Sequence, residues 1–286
     1  MPTSKPSPVV ALTIAGSDSG GGAGVQADLK TFQAFGIFGT SALTAVTAQN
    51  TTGVSGVRAL AASDVRRQID AVVPDLHPAA VKTGMLADAG IVSAVAKSIR
   101  EHRLRDRFVL DPVSAATSGD RLLSNSAEAA LVEELLPLAK VVTPNLHEAA
   151  LFTGKEVSSL DEMRAAARAL VEMGARAALV TGGHLGSTSG GATELHDLLW
   201  DGSTELIWSH PRIDGGPFHG TGCTLSAAIT AGLALGTPLT EAVGHAIGYV
   251  TSSIASTPDL GSGATPLSHK VRIEWRAPRG DRSPSG

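Results

Sequence analysis

The chain has 286 residues, of which 43% are hydrophobic and 17% are charged, a composition typical of a packed globular protein with one sizeable core. Its formal net charge is −4, and Lys and Arg form no dense run before the tail, which argues against a protein that binds the phosphate backbone of DNA or RNA. Its single cysteine excludes an intrachain disulfide and indicates a reducing, cytoplasmic compartment. Every apolar stretch is shorter than the ~20 residues that span a bilayer, so we expect no membrane partner.

Short apolar runs rich in β-branched residues alternate with longer segments of helical periodicity. The predicted strands are Val9–Ala15, Thr40–Ala48, Ala79–Lys82, Phe108–Leu110, Val141–Thr143 and Ala177–Val180, with two more around Trp200 and Ile207. The predicted helices are Ala23–Phe35, Ser63–Val73, Asp88–His102, Ser124–Leu136, Asp161–Met173, Cys223–Leu235 and Leu239–Ser253. This alternation predicts one α/β domain over residues 9–275, in which a mostly parallel sheet lies between two helical layers. Residues 1–8 and 276–286 are expected to be flexible.

Glycines and polar residues follow most of the predicted strands. In sheets of this kind, ligands bind at the carboxyl ends of the strands, where loops and helix N-termini converge. The residues at these ends are Gly16–Gly24, Gln49 and Asn50, Gly84 and Met85, Asp111 and Pro112, Asn145, and Gly182 to His184. The sequence therefore predicts one concave site that collects all of them.

The segment Gly216–Thr224 leads directly into an Ala-rich helix. Gly220 and Gly222 would let backbone N–H groups at the helix N-terminus point outward, which is a geometry that binds anions. In a kinase the anion would be the phosphoryl group in transfer, which needs positioned donors more than covalent help. The alternative is an ordinary helix cap beside a buried cysteine.

Cys223 lies in the first turn of that helix. The helix dipole is expected to lower the pKa of its thiol, so that a thiolate could take a proton from a substrate hydroxyl. A lone cysteine at an apolar helix start is otherwise more often structural. The neighbouring glycines favour the catalytic interpretation.

A second glycine-rich loop, Gly20–Gly24, precedes the first helix and includes a weak match to the dinucleotide-binding fingerprint. A nicotinamide site would need an acidic residue at the end of the second strand, where Gln49 stands instead. We expect the loop to approach a small polar ligand closely, with a simple tight turn as the alternative. Asp28, one turn into the helix, would face the same cavity or else be a solvated carboxylate. The amide of Gln49 suits the edge of an aminopyrimidine.

Asn145 and Glu148 are three residues apart at a predicted helix start. Their oxygens could hold a hydrated Mg²⁺ on the phosphates of ATP, although the same spacing fits an N-cap with its capping carboxylate. Asp111 is a second candidate for charge control near this metal. The chain has no Walker A motif, so a P-loop kinase is excluded.

Five segments taken together resemble the hydroxymethylpyrimidine/phosphomethylpyrimidine kinases of thiamine biosynthesis, in the ribokinase superfamily. These segments are Ala11–Thr31, Thr44–Thr51, Lys82–Leu86, Thr143–Leu146 and His219–Ser226. The resemblance extends over about residues 9–270 in the same order. It implies a ribokinase-like α/β fold and an enzyme that uses MgATP to phosphorylate 4-amino-5-hydroxymethyl-2-methylpyrimidine and then its monophosphate. It also implies a homodimer.

The resemblance further assigns roles to individual residues. Cys223 falls at the position of the proposed base, and Gly220 and Gly222 fall in the anion hole. The implied pyrimidine-binding residues are Gly16, Asp28, Gln49, Met85 and Val113. The implied ATP- and phosphate-binding residues are Asp111, Asn145, Glu148, Thr181, Gly183 and Thr221. Glu148 would bind the metal through water.

Two departures from the family pattern concern cations. Thr117 and Thr181 stand where the family usually carries lysines before Ser-Gly-Asp and Gly-Gly-His. Each loss could weaken nucleotide binding or the second phosphorylation by about 1 kcal/mol or more. Two other functions therefore stay open: a pyridoxal or pyridoxine kinase, and a catalytically weak protein that binds a vitamin precursor.

Overall fold

A computed structural model describes residues 7–115, 123–183 and 194–273. The strands are β1 (Val10–Asp18), β2 (Phe38–Asn50), β3 (Gly53–Ala59), β4 (Ala80–Thr83), β5 (Phe108–Leu110), β6 (Val141–Val142), β7 (Ala178–Thr181), β8 (Glu194–Trp200), β9 (Glu205–Pro211), β10 (Phe218–His219) and β11 (Thr265–Pro266). The helices are α1 (Gly24–Ala34), α2 (Ala62–Leu76), α3 (Ala89–Glu101), α4 (Asn125–Ala130), α5 (Leu146–Thr153), α6 (Leu160–Glu172), α7 (Thr221–Ala234) and α8 (Leu239–Ala255).

Nine strands form one mixed sheet in the order β3-β2-β1-β4-β5-β6-β7-β8-β9. The pairs from β2 to β7 are all parallel, whereas β3, β8 and β9 are joined antiparallel at the two edges. The prediction of a mostly parallel central sheet is therefore confirmed. Because the central strands run the same way, their carboxyl ends meet at one edge of the sheet.

Each face of the sheet carries its own hydrophobic core. Successive side chains on a strand point to opposite faces, so Leu12 and Ile14 of β1 join one core while Ala11 joins the other. The first core is completed by side chains of α2 to α6. The second core includes Phe32 of α1 and Tyr249 of α8, and the Tyr249 ring meets that of Phe35 edge to face with centroids 5.2 Å apart. The expected three layers are thus present.

Several elements differ from the prediction, among them the short strands β10 and β11, which were not predicted. Strand β1 continues through Gly16 to Asp18, with a bulge between Ala15 and Ser17, so Gly16 lies in a strand and not in the loop after it. Edge strand β3 was missed, because it is mostly exposed and carries no apolar alternation. The helix predicted up to Leu136 ends as an α-helix at Ala130 and continues as a π turn and a 3₁₀ turn, since Pro137 cannot donate a backbone hydrogen bond.

A C-terminal segment crosses the carboxyl edge of the sheet after α8. Strand β11 pairs with β10, and the backbone N–H of Ala264 donates to the carbonyl of Thr51 at 2.7 Å. These contacts tie the start of α7 to the tip of the β2–β3 hairpin. Within the three described ranges, no helix combines the length and the apolar character needed to cross a membrane.

Candidate active site

The N-terminus of α7 opens toward the carboxyl edge of the sheet. Gly220 precedes the helix with a left-handed φ of 90° and provides no side-chain cap. The first N–H groups of a helix have no intrahelical acceptor, so those of α7 are available to a ligand. A Cβ on Gly222 would meet no atom within 4 Å, which places open space beside this first turn. The helix thus begins at Thr221, two residues earlier than predicted.

The glycine loop before α1 has a different arrangement. Its backbone N–H groups at Gly20, Gly22 and Ala23 donate to the carboxylate of Asp18 at 2.7, 3.0 and 2.8 Å. The loop is therefore folded around an anion that the protein itself supplies. Burial acts to raise the pKa of Asp18, but hydrogen bonds from the His219 side chain and from the loop outweigh it and lower that pKa.

The two glycine loops are in direct backbone contact. A Cβ on Gly220 would lie only 1.9 Å from the carbonyl oxygen of Gly22. Real Cβ atoms never approach an oxygen so closely, and the left-handed φ of Gly220 disfavours a side chain independently. Gly220 is thus required by the packing of one loop on the other.

Cys223 lies between the starts of α7 and α1. The residue is half-buried, and the backbone N–H of Gly24 lies on the side of α1 that faces it and favours its thiolate. Burial raises the pKa of the thiol to about 12, with Lys82 and the Gly24 N–H opposing the rise and Asp111 and Asp28 adding to it. The prediction that the helix dipole lowers this pKa is therefore wrong, because desolvation outweighs the dipole.

A buried ionic cluster lies at the carboxyl ends of β4 and β5, near Cys223. The ammonium of Lys82 contacts Asp28 Oδ1 at 2.8 Å and Asp111 Oδ2 at 3.5 Å. Asp28 Oδ2 also accepts a hydrogen bond from Thr13 at 2.6 Å, and Asp111 Oδ2 accepts one from Ser226 at 2.8 Å. Burial alone would lower the pKa of Lys82, but the two carboxylates raise it above its ordinary value.

Asp28 does not face the open cavity as predicted. Its side chain is fully buried and is held by Lys82 and Thr13, so it has no surface to offer a ligand. Burial raises its pKa, but the ammonium opposes the rise, and both oxygens accept hydrogen bonds in the manner of an ionised carboxylate. Asp111 is likewise buried against Lys82 and Ser226, so its predicted role near the phosphates stays a prediction.

Gln49 lies at the end of β2 beside His219. Its Nε2 is 3.2 Å from His219 Nε2, which is also 2.9 Å from Asp18 Oδ2, and its Oε1 accepts from Thr47 at 3.2 Å. A cavity of about 430 Å³ opens at this point. Its lining includes Gln49 to Gly53, Pro217, His219 and Ser262 to Ala264. Gln49 is thus placed where a polar group can meet a ligand.

The other predicted pyrimidine contacts lie on β1 and after β4 and β5. A Cβ on Gly16 would be 2.8 Å from the terminal methyl of Met85, so Met85 packs directly on the glycine. The carbonyl of Met85 accepts a hydrogen bond from Thr44 at 2.6 Å, which fixes this segment. Val113 is half-buried after β5. The strand ends thereby bring Gly16, Met85 and Val113 to the same edge as Gln49.

Asn145 and Glu148 form a complete capping box at the start of α5. Asn145 Oδ1 accepts from the Glu148 N–H at 2.9 Å, and Glu148 Oε2 accepts from the Asn145 N–H at 3.0 Å. Burial, reinforced by the charge of Asp111, raises the pKa of Glu148 to about 8, although N–H donors from Asn145 and Ser114 oppose the rise. The helix-cap alternative is therefore realised. A nearby Mg²⁺ would favour the ionised form of this same carboxyl.

Of the remaining residues predicted for the phosphate site, some lie inside the described residues and some lie outside them. Thr181, at the end of β7, pairs with Asn145 through an isolated parallel bridge. Gly183 is exposed, with no atom within 4 Å of a hypothetical Cβ, and Thr221 is half-buried in the first turn of α7. Thr117 and His184 lie outside the described residues.

Sequence reasoning missed three residues of this site: Asp18, Lys82 and His219. Lys82 was detectable as a charged residue within the apolar strand around Ala80 and Val81, since a buried cation requires a partner. Asp18 and His219 lie 201 residues apart and meet only in the folded chain. No local pattern could have paired them.

Solved structures with the same fold define the class of protein. A pyridoxal kinase of Staphylococcus aureus in complex with AMP-PCP aligns with a TM-score of 0.85 at 34% identity, covering 95% of this chain and 98% of that chain. An ADP complex of Bacillus subtilis pyridoxal kinase aligns at 0.83 and 37%, covering 92% and 98%. A phosphomethylpyrimidine kinase of Clostridium difficile 630 aligns at 0.75 and 39%, covering 86% and 99%. The fold is therefore that of a ribokinase-like kinase.

Sequence comparison defines the family within this class. The phosphomethylpyrimidine kinase family matches residues 18–268. Relatives named hydroxymethylpyrimidine/phosphomethylpyrimidine kinase are 51% identical in Rhizobium meliloti, over 91% of this chain and 96% of the relative, and 48% identical in Bacillus subtilis, over 91% and 94%. The chain belongs to the phosphomethylpyrimidine kinase family and is a phosphotransferase that uses ATP. The predicted family and enzyme class are confirmed.

Proposed function

We propose that this kinase transfers the γ-phosphoryl group of ATP to the hydroxyl of 4-amino-5-hydroxymethyl-2-methylpyrimidine, and then phosphorylates the monophosphate to the diphosphate. The names of the two relatives above, at 51% and 48% identity, support this substrate. The observation that carries the proposal is the position of Cys223, partly exposed in the uncapped first turn of α7 behind Gly220 and Gly222. In this proposal Cys223 is the proton acceptor and the first turn of α7 is the anion site beside it.

In this proposal the first turn of α7 stabilises the transferring phosphoryl group. The N–H groups around Gly222 offer preorganised donors at a positive helix end, where negative charge is favoured. Cys223 accepts the proton of the substrate hydroxyl as the new O–P bond forms. With a thiol pKa of about 12, the thiolate of Cys223 is a minor form at neutral pH, but it is a strong base.

Gln49 and Glu148 would serve the pyrimidine and the nucleotide, respectively. The amide of Gln49 can both donate to and accept from an aminopyrimidine edge, and it borders the 430 Å³ cavity. The described ranges contain no cluster of three or more His, Cys, Asp or Glu side chains suited to a metal. Mg²⁺ on ATP commonly needs only one or two protein carboxylates beside phosphates and water, and we assign that part to Glu148 through water.

The proposal also includes a homodimer. Strand β3 forms an exposed edge of the main sheet, and Val57 on it is 47% exposed. Unpaired edge strands are a common site of association between chains. Sedimentation equilibrium decides this point, and a monomer at micromolar concentration would contradict it.

Turnover tests the function directly. Purified protein with MgATP and the hydroxymethylpyrimidine is expected to release ADP and to form the monophosphate and then the diphosphate, resolved by chromatography. ADP release with pyridoxal but not with the pyrimidine would instead support a pyridoxal kinase. Binding of the pyrimidine without ADP release would support a precursor-binding protein.

Cys223→Ala tests the proposed base. We expect kcat to fall by about 10²-fold or more, because a positioned general base contributes that much to proton transfer. The melting temperature should change little, since the side chain is small and partly exposed. Near-normal kcat in a folded variant would reject Cys223 as the base.

A further inference from the structure

Lys82 is a fully buried cation in the middle of an apolar strand. Its neighbours on β4, Ala80 and Val81, belong to the two hydrophobic cores. Its ammonium is 2.8 Å from Asp28 Oδ1 and 3.5 Å from Asp111 Oδ2, and both of those side chains are buried as well. An arrangement of this kind contributes little net stability, since apolar residues of similar volume usually do as well or better. The cluster therefore calls for an explanation other than stability.

The cluster is connected to Cys223 through α7. Ser226, one turn after Cys223, donates to Asp111 Oδ2 at 2.8 Å and lies 3.1 Å from the carbonyl of Cys223. The charges of Lys82, Asp111 and Asp28 all act on the thiol. Contacts of 3.5, 2.8 and 3.1 Å thus link the ammonium, through Asp111 and Ser226, to the backbone of Cys223.

The groups that act on the sulfur come from β4, from α1 and from the residues after β5. Lys82 on β4 and the Gly24 N–H on α1 favour the thiolate, whereas Asp28 on α1 and Asp111 after β5 oppose it. Ser226 of α7 hydrogen-bonds one of the opposing carboxylates. Of these side chains, Lys82 alone carries positive charge. Desolvation makes such a charge more effective than it would be in water.

We propose that Lys82 is a positioning residue of this kinase: its ammonium, held between Asp28 and Asp111, stabilises the thiolate of Cys223. The two aspartates hold the cation in place, and they also prevent the thiolate from becoming the resting form. Lys82 touches neither substrate nor phosphate in this role. A catalytic role for Lys82 rests on the proposed function, in which Cys223 is the base. The effect of the Lys82 ammonium on the thiol can be measured without any substrate.

The experiment uses alkylation of the thiol by iodoacetamide, which reports on Cys223 alone because the chain has one cysteine. The comparison is between Asp28→Asn and the double variant Asp28→Asn/Lys82→Met, which differ by the ammonium. We expect the double variant to react about three- to thirtyfold more slowly between pH 8 and 9.5. Loss of a nearby positive charge raises the pKa of a thiol by about 1–3 units and lowers the thiolate fraction accordingly. The greater nucleophilicity of the more basic thiolate offsets about half of this loss on the logarithmic scale.

Thr13→Val is the matched control for a lost buried hydrogen bond. It removes the hydroxyl that donates to Asp28 but leaves every charge in place. Its alkylation rate should stay within about twofold of the wild type, because no charge near the thiol has changed. A slowing equal to that of the double variant would mean that loosened packing, and not the ammonium, governs the thiol.

Equal rates in the folded single variant Asp28→Asn and the folded double variant overturn the proposal. If the double variant does not melt cooperatively, Asp28→Asn decides by itself. Its rate should exceed that of the wild type, because a carboxylate that opposes the thiolate is gone, and a rate at or below the wild-type value overturns the proposal. In the kinase assay, loss of Lys82 should lower kcat and leave the KM for both substrates unchanged. Absence of kinase activity in the wild type would refute the proposed function without touching the alkylation result.

Discussion

The two glycine loops of this kinase look alike in sequence and differ in what they bind. The loop Gly20–Gly24 precedes α1, and its N–H groups donate to the carboxylate of Asp18. The turn at Gly220 precedes α7, whose first N–H groups receive no side-chain cap. One loop is closed on an internal anion, and the other has no capping side chain and is the anion site in the proposed function.

The difference shows that glycine content alone does not define a phosphate site. A carboxylate two to five residues upstream can satisfy the same donors that a phosphate would use. The closed loop then supports the open one, because the backbone of Gly22 packs directly against Gly220. The open loop depends on the closed one for its shape.

The largest expected effect comes from adding a side chain where the two loops are in backbone contact. Gly220→Ala would place a Cβ 1.9 Å from the carbonyl oxygen of Gly22 at a φ of 90°. We expect a loss of about 3 kcal/mol or more in the free energy of unfolding, and a fall in kcat/KM of about 10²-fold or more. Urea denaturation and steady-state kinetics measure the two effects.

Gly222→Ala is the control, because its Cβ would meet no protein atom within 4 Å. Its free energy of unfolding should stay within about 1 kcal/mol of the wild type. Its kcat/KM should fall nevertheless, since the methyl group stands where the phosphoryl group approaches. Full activity in this variant would contradict the assignment of the α7 N-terminus as the anion site.

The next effect comes from removing the internal anion. Asp18→Asn weakens hydrogen bonds from three backbone N–H groups and from His219, so we expect a loss of about 1–3 kcal/mol at pH 7. Because the pKa of Asp18 is lowered by folding, its contribution is present above the ordinary value of 3.8 and disappears as the pH falls through the folded value. The stability difference between wild type and variant should therefore shrink below about pH 4. A difference that is constant with pH would show that the charge of Asp18 is not involved.

The smallest effect concerns the positive charge available at the predicted phosphate site. Thr181→Lys would introduce a positive charge near the predicted phosphate site at the end of β7. We expect the KM for ATP to fall about fivefold, which corresponds to about 1 kcal/mol. Thr181→Gln, which is long but neutral, should leave this KM unchanged. Equal changes in the two variants would indicate an effect of size and not of charge.

The order of the elements could be predicted well because the sheet is buried on both faces. Apolar runs such as Phe108–Leu110 appear in the structure at the predicted residues. Ser124, the first residue of the predicted helix, caps α4, and Gly174 follows the end of α6 with a φ of 119°. Strand β3 could not be predicted, because an exposed edge strand is specified by pairing with β2 and not by its own pattern.

The site could be predicted in its position but not in its electrostatics. Parallel strands bring Gln49, Met85 and Asn145 to one edge whatever the details of packing. The pKa of Cys223 depends on how deeply it is buried and on charges from three distant segments, so the helix position alone gave the wrong direction. Asp28 was placed on the right helix, but the cation that pairs with it comes from β4.

The sequence by itself determined the fold class, the family and the helix start that carries Gly220 and Cys223, because these follow from local periodicity and from motifs of contiguous residues. Only the tertiary structure decided which glycine loop is closed, which carboxylates are buried and which cation faces the thiol. Those properties arise from contacts such as Asp18 with His219 and Lys82 with Asp28, between residues 201 and 54 positions apart. Desolvation and charge act through space, and a local sequence pattern does not show which distant residues will lie close together.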